Sequence, residues 1–148
     1  MKVVLDTNVL LAGIATRGIC EGVITECLQH HELIISAPIL DEFGRHLLGK
    51  FKIPPVAARE IIAFIRGQSR VVVPVEIPPE ACRDPADLMV LGTAIVGAAQ
   101  YIVTGDKDLL VIQHYRDIAI ITPRDFYQLT SLPACNEPGP TRQRRKIQ

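Results

Sequence analysis

The chain has 148 residues, 48% of them hydrophobic and 22% charged, with a formal net charge of zero. That composition suits one globular domain with a sizeable buried core, and without a run of about 18 or more apolar residues nothing reads as membrane-spanning. The charge is uneven: the last eight residues, "TRQRRKIQ", hold four of the 16 basic residues, and residues 1–132 carry 15 acids against 12 Lys plus Arg, a balance of −3. A folded body that grips nucleic acid through bulk positive charge is therefore excluded.

No secretory pattern precedes the first strand, so a cytoplasmic location is expected. The four cysteines, Cys20, Cys27, Cys82 and Cys135, form no CxxC pair and have no His partner at zinc-finger spacing. They are expected to be free thiols that pack as small apolar residues, with Cys135 in the tail.

In chain order, strand-like runs fall at "KVVL" (2–5), "ELIIS" (32–36), "RVVVP" (70–74), "YIVTG" (101–105) and "IAIIT" (118–122). They are apolar throughout, the pattern of strands buried on both faces. Helix-like segments occupy roughly 20–30, 38–49, 55–67, 85–99 and 123–130, with a short one at 9–14. Alternation of this kind predicts right-handed βαβ units. The expected fold is a three-layer α/β/α sandwich around a mostly parallel sheet of about five strands. From Pro133 onward, Pro, Gly and charge dominate, so residues 133–148 are expected to form a disordered basic tail beside a folded domain over 1–132.

Four acidic positions stand out. Asp6 ends the first apolar run in "KVVLDTNVLLAG". There it either caps the next helix, pairs with something, or holds a cation. Glu42, in "SAPILDEFGRHLLG", falls at the edge of the apolar stripe made by Ile39, Leu40, Phe43 and Leu47, whereas Asp41 points to solvent. His46 lies one turn on, where it can either pair with Glu42 or take a metal role. In "CRDPADLMVLGTAIVGAA", Asp84 and Pro85 make a strong helix start. Asp87 shares a face with Leu91, Ala94 and Ala98, so it heads a buried stripe and leans back towards the strand ends. In "YIVTGDKDLL", Asp106 can cap a short helix, and Thr104 sets a hydroxyl beside it.

Each acid alone has an innocent explanation; their joint placement is stronger. In a parallel sheet every strand-to-helix junction lies at the carboxyl edge, where open α/β folds bind ligands. Asp6, Asp87 and Asp106 are at such junctions, and Glu42 is about one turn into its helix. Two carboxylates about 4 Å apart repel by roughly 4 kcal/mol at an effective dielectric of 20. A divalent metal removes that conflict, and oxygen-only ligands point to Mg²⁺ or Mn²⁺ rather than zinc.

Over about residues 2–130 the sequence resembles the PIN-domain ribonucleases, a family that includes toxins of toxin–antitoxin pairs. The motifs that carry the resemblance are "VVLDTNVLLAG", "SAPILDEFGRHL", "CRDPADLMVLGTA" and "IVTGDKDLL", closing with "ITPRDF". The resemblance implies that Asp6, Glu42, Asp87 and Asp106 are the acidic quartet that holds one or two Mg²⁺ or Mn²⁺ ions. It implies that Asn8 and Thr104 support them and that Asp108 is an extra ligand. Relatives of this subgroup often carry a second acid just after the position of Asp87, where this chain has Leu88. The implied activity is metal-dependent hydrolysis of phosphodiester bonds in single-stranded RNA, with a bound water as nucleophile. A homodimer and an antitoxin that covers the site are implied as well.

Arg17, Arg45, Lys50, Lys52 and Lys107 are the candidates for guiding the RNA backbone, and the scarcity of aromatics argues against an extensive base-stacking platform. Two other readings stay open. An aspartyl-phosphate enzyme would use Asp6 as nucleophile, but its pattern needs a second Asp where this chain has Asn8. A non-catalytic RNA- or protein-binding module could carry the same fold.

Overall fold

A computed structural model describes residues 1–131. The expected basic tail, 133–148, lies outside the described residues, as does Cys135. The elements run β1 (Lys2–Leu5), α1 (Thr7–Ala15), α2 (Ile19–His30), β2 (Glu32–Ser36), α3 (Ala37–Gly49), α4 (Pro55–Gln68), β3 (Ser69–Val72), α5 (Pro85–Val96), β4 (Tyr101–Val103), α6 (Lys107–Leu110), β5 (His114–Tyr115), β6 (Ile118–Ile121) and α7 (Pro123–Ser131). One 3-10 turn, Pro79–Ala81, precedes α5.

The sheet has six strands in the order β3-β2-β1-β4-β6-β5. Every neighbouring pair is parallel except β5 with β6. Successive strands first build outwards from β1 through β2 to β3, and then the chain crosses back to lay β4 on the other side of β1. The order therefore reverses between β1 and β4, the position at which α/β sheets open a crevice beyond their strand ends. The three central strands are buried on both faces, with Val3, Val4, Leu33, Ile34, Ile102 and Val103 at 0–1% exposure. Helices thus cover both faces, the expected α/β/α sandwich. Helix α5 packs over β1, β2 and β4.

Two features differ from the sequence reading. The third strand is not buried on both faces: β3 is an edge strand with Val71 43% exposed, and it ends at Val72, leaving Val73 beyond it 83% exposed. An edge strand has one neighbour, so apolar composition alone does not distinguish it from a central one. The sixth strand, β5, has two residues and returns to β6 through Arg116, whose φ is 54°. Tight hairpin turns usually signal themselves with glycine or asparagine, and "YRDI" has neither.

Helix α5 starts as its sequence demands. The Asp84 carboxylate accepts the Ala86 amide at 3.0 Å and Pro85 takes the first helical position. Further along, Gly92 lets the segment before α5 run close against the helix, where the Val75 amide donates to the Gly92 carbonyl at 3.4 Å. A Cβ at this position would sit 2.3 Å from the Val75 carbonyl oxygen, a backbone atom with little room to yield. Gly92→Ala is expected to lower the unfolding free energy by about 1–3 kcal/mol despite its better helix propensity. Urea denaturation checks this, and a neutral or stabilising result would contradict the close approach.

Candidate functional site

Asp6 sits where β1 hands over to α1. Its amide donates to the Val103 carbonyl at 3.0 Å, extending the β1–β4 ladder, and its carbonyl accepts the Val9 and Leu10 amides, opening the helix. The side chain makes no cap bond to α1. It accepts instead from the Thr104 hydroxyl, Oγ1 to Oδ2 at 2.8 Å. Thr104 Oγ1 in turn accepts the Asp106 amide at 3.0 Å. One fully buried hydroxyl therefore joins the end of β1 to the turn after β4. The Asp106 carboxylate caps α6 by accepting the Asp108 amide at 2.9 Å.

Asp87, in the first turn of α5, is only 5% exposed. The Cys82 thiol lies 3.7 Å from its Oδ2, a weak S–H donor aimed at the carboxyl, and burial pushes that thiol up. Glu42 is reached from the strand end: Thr7 Oγ1 donates to its Oε1 at 3.1 Å. On its other side His46 Nε2 stands 3.8 Å from Oε2, one helical turn on.

These acids feel one another. Burial raises the Asp6 carboxyl above its ordinary value, hydrogen bonds from Thr104 and the Thr7 amide pull it back, and the charges of Asp106 and Glu42 push it up again. Asp87 is pushed up to about 8, first by burial, then by its hydrogen bond with Asp106 and the charges of Asp106, Asp6 and Asp84. At neutral pH Asp87 thus holds a proton in the absence of a cation. The ion pairs near the acids are those of Glu42 with His46 and of Asp108 with the exposed Arg83, at 3.8 and 3.9 Å. Neither reaches Asp6 or Asp87. The oxygens of Asp84, Asp87 and Asp108 also come within 4.8 Å of one another. A set of carboxylate oxygens with a proton in place of a counter-charge fits a hard divalent cation such as Mg²⁺ or Mn²⁺.

At the carboxyl edge of the sheet Thr104 links Asp6 to Asp106, Asp87 bonds to Asp106, and Glu42 acts on Asp6 through its charge. Asn8 is exposed, and the hydroxyl that reaches an acid from this turn belongs to Thr7. From the sequence, Asp84 is a helix start and Cys82 a packed thiol, and Thr7 is not among the candidates. Asp84 does cap α5, but it also joins the acids. Among the basic candidates, Lys107 adjoins Asp106, and Arg45 shares a cavity wall with Glu42. Lys50 and Lys52 follow the far end of α3. At 1.5 Å per residue, Lys50 is about 12 Å along the helix axis from Glu42. Arg17 follows the far end of α1 in the same way. Helices that return from the carboxyl edge carry their C-terminal charges away from it.

A family model described as PIN domain matches residues 2–108, a span that includes Asp6, Glu42, Asp87 and Asp106. The chain belongs to the PIN domain family. No curated protein sequence matches it. Among solved structures, this PIN domain is similar to VapBC2 from Rickettsia felis bound to a DNA fragment from their promoter, with 12% identity over 82% of this chain and 98% of that one and a TM-score of 0.57. It is also similar to VapBC-1 from nontypeable Haemophilus influenzae, with 17% identity over 84% of this chain and 99% of that one and a TM-score of 0.58. At such identities the likeness is one of fold.

The raised Asp87 carboxyl sets a pH dependence for the metal-free PIN domain. The folded state keeps a proton that the unfolded chain releases near the ordinary value of 3.8, so the folded state binds more protons up to about 8. Stability therefore falls as pH rises through that window. In EDTA, the thermal midpoint is expected to drop more steeply between pH 5 and 8 for the native protein than for Asp87→Asn. Equal slopes would show that Asp87 is already ionised in the folded state.

Proposed function

We propose that this PIN domain is a metal-dependent endoribonuclease that hydrolyses phosphodiester bonds of single-stranded RNA, and that it is the toxin of a toxin–antitoxin pair. The observation that carries the proposal is the meeting of Asp6, Glu42, Asp87 and Asp106 at the strand-order reversal, with Asp87 driven to hold a proton. Such a cluster is poorly suited to stability and well suited to holding a cation.

In this reading Asp6, Glu42, Asp87 and Asp106 hold one or two Mg²⁺ or Mn²⁺ ions, with Asp108 and Asp84 at the margin of the set. A bound divalent ion supplies Lewis-acid activation of water and neutralises charge on the phosphate. The chain's own work is orientation. Thr104 fixes the Asp6 carboxylate, Thr7 fixes Glu42, and the Asp108 amide fixes the Asp106 carboxylate. Lys107, next to Asp106, meets the flanking phosphates, which a body of net charge −3 otherwise repels, and Arg45 meets the RNA beside Glu42. Arg17, Lys50 and Lys52 touch only RNA that extends well beyond the cut.

The antitoxin partner is supported by the VapBC structures that share this fold. A homodimer belongs to the same proposal, and exposed apolar residues such as Phe64, Val71 and Val73 supply surface for protein partners. Sedimentation at several concentrations tests the dimer, with a monomer at all of them as the opposing result.

Cleavage of a labelled single-stranded RNA with Mn²⁺, Mg²⁺ or EDTA tests the enzyme. Native protein is expected to cut in either metal and not in EDTA. Asp6→Asn, once shown to fold, is expected to lose at least about a hundredfold in rate, the scale of removing a group that orients the reacting atoms. Equal cutting by both proteins would remove Asp6 from the site.

A further inference from the structure

Beside Glu42 lies a cavity of about 220 Å³ between α3 and the start of α5. Its walls are mostly apolar, from Pro38, Ile39, Ala86 and Val90, and Met89 and Arg45 also line it. Met89 is 47% exposed although it lies on a helix that is otherwise largely buried. Arg45 is exposed and makes no ion pair among the described residues.

We propose that this cavity is a base subsite that takes a purine, preferentially guanine, from the nucleotide next to the scissile phosphate, with Arg45 as the specificity residue. The inference rests on the ribonuclease reading of the adjoining acids. Because Glu42 belongs both to the acidic set and to the cavity wall, the occupant is within one nucleotide of the reacting phosphate. The same carboxylate disfavours a phosphate or an acidic side chain as occupant. A flat, largely apolar ring with acceptors on one edge suits the walls. The exposed Met89 thioether offers a polarisable contact to an aromatic ring, in a cavity that contains no aromatic residue. The Arg45 guanidinium has donors only, and two of them match the paired O6 and N7 acceptors of guanine. Adenine and cytosine each set an amino group where guanine carries O6, and uracil lacks N7.

A random-sequence single-stranded RNA library, cut with Mn²⁺ and sequenced at the new ends, tests this. Guanine is expected to be enriched about tenfold at one fixed position relative to the cut, and Arg45→Met is expected to remove the enrichment. A flat base composition around the cut, or an enrichment that survives Arg45→Met, overturns the subsite while leaving the ribonuclease intact. If native protein cuts nothing, the ribonuclease reading fails and binding decides the subsite. Fluorescence anisotropy at low salt would then compare UUGUU, its 7-deazaguanine analogue and UUUUU. Tighter binding of UUGUU, lost with the analogue and with Arg45→Met, upholds the subsite; equal or absent binding overturns it.

Discussion

The hydroxyl of Thr104 accepts the amide of Asp106 and donates to the carboxylate of Asp6, and the rest of the site is arranged around that pair of bonds. It spans β1 and β4, the two strands between which the sheet order reverses. The Thr104 hydroxyl thus holds one oxygen of the Asp6 carboxylate and, by accepting the Asp106 amide, holds Asp106 at the mouth of the same crevice. Asp87 then arrives from α5 and Glu42 from α3, each on a helix whose start is fixed by a strand end or a proline. The consequence is a concentration of negative charge that packing alone would not retain. Desolvation and mutual repulsion raise Asp6 and Asp87 together, and no buried cationic side chain answers them among the described residues.

Much of this was legible in the residues. Strand runs that end on an acid, the Asp84-Pro85 helix start and the boundary position of Glu42 all follow from local rules, and parallel strands gather their ends at one edge. What stayed hidden depended on neighbours in space. Val71 and Val73 look like core residues until the sheet order leaves β3 at the edge. The β5–β6 hairpin lacks the glycine or asparagine that usually announces such a turn. Thr7 and Asn8 are adjacent polar residues of similar capping ability, and only the direction in which α1 leaves β1 decides that Thr7 is buried against Glu42. Asp84 illustrates a different difficulty: one local role, capping, was sufficient to explain it, and its proximity to Asp87 and Asp108 emerged only in three dimensions.

Charge follows the same geometry. Lys50, Lys52 and Arg17 sit beyond helix ends that point away from the acids, whereas Arg45 and Lys107 flank them. The acidic body therefore presents positive charge beside the clustered acids, where a polyanion would have to approach the proposed metal site. Specificity in such a site rests on few contacts, since aromatic side chains are scarce and electrostatic attraction is local.

On the proposed function, the clustered acids exchange the Asp87 proton for a divalent cation. Calorimetric titration of Mn²⁺ into the native protein near neutral pH, in two buffers of different ionisation enthalpy, tests it most directly. Binding is expected with release of about one proton, carried by Asp87, and both the affinity and the proton release are expected to fall in Asp87→Asn. Absence of Mn²⁺ binding, or binding with the same proton balance in native and variant proteins, would contradict it.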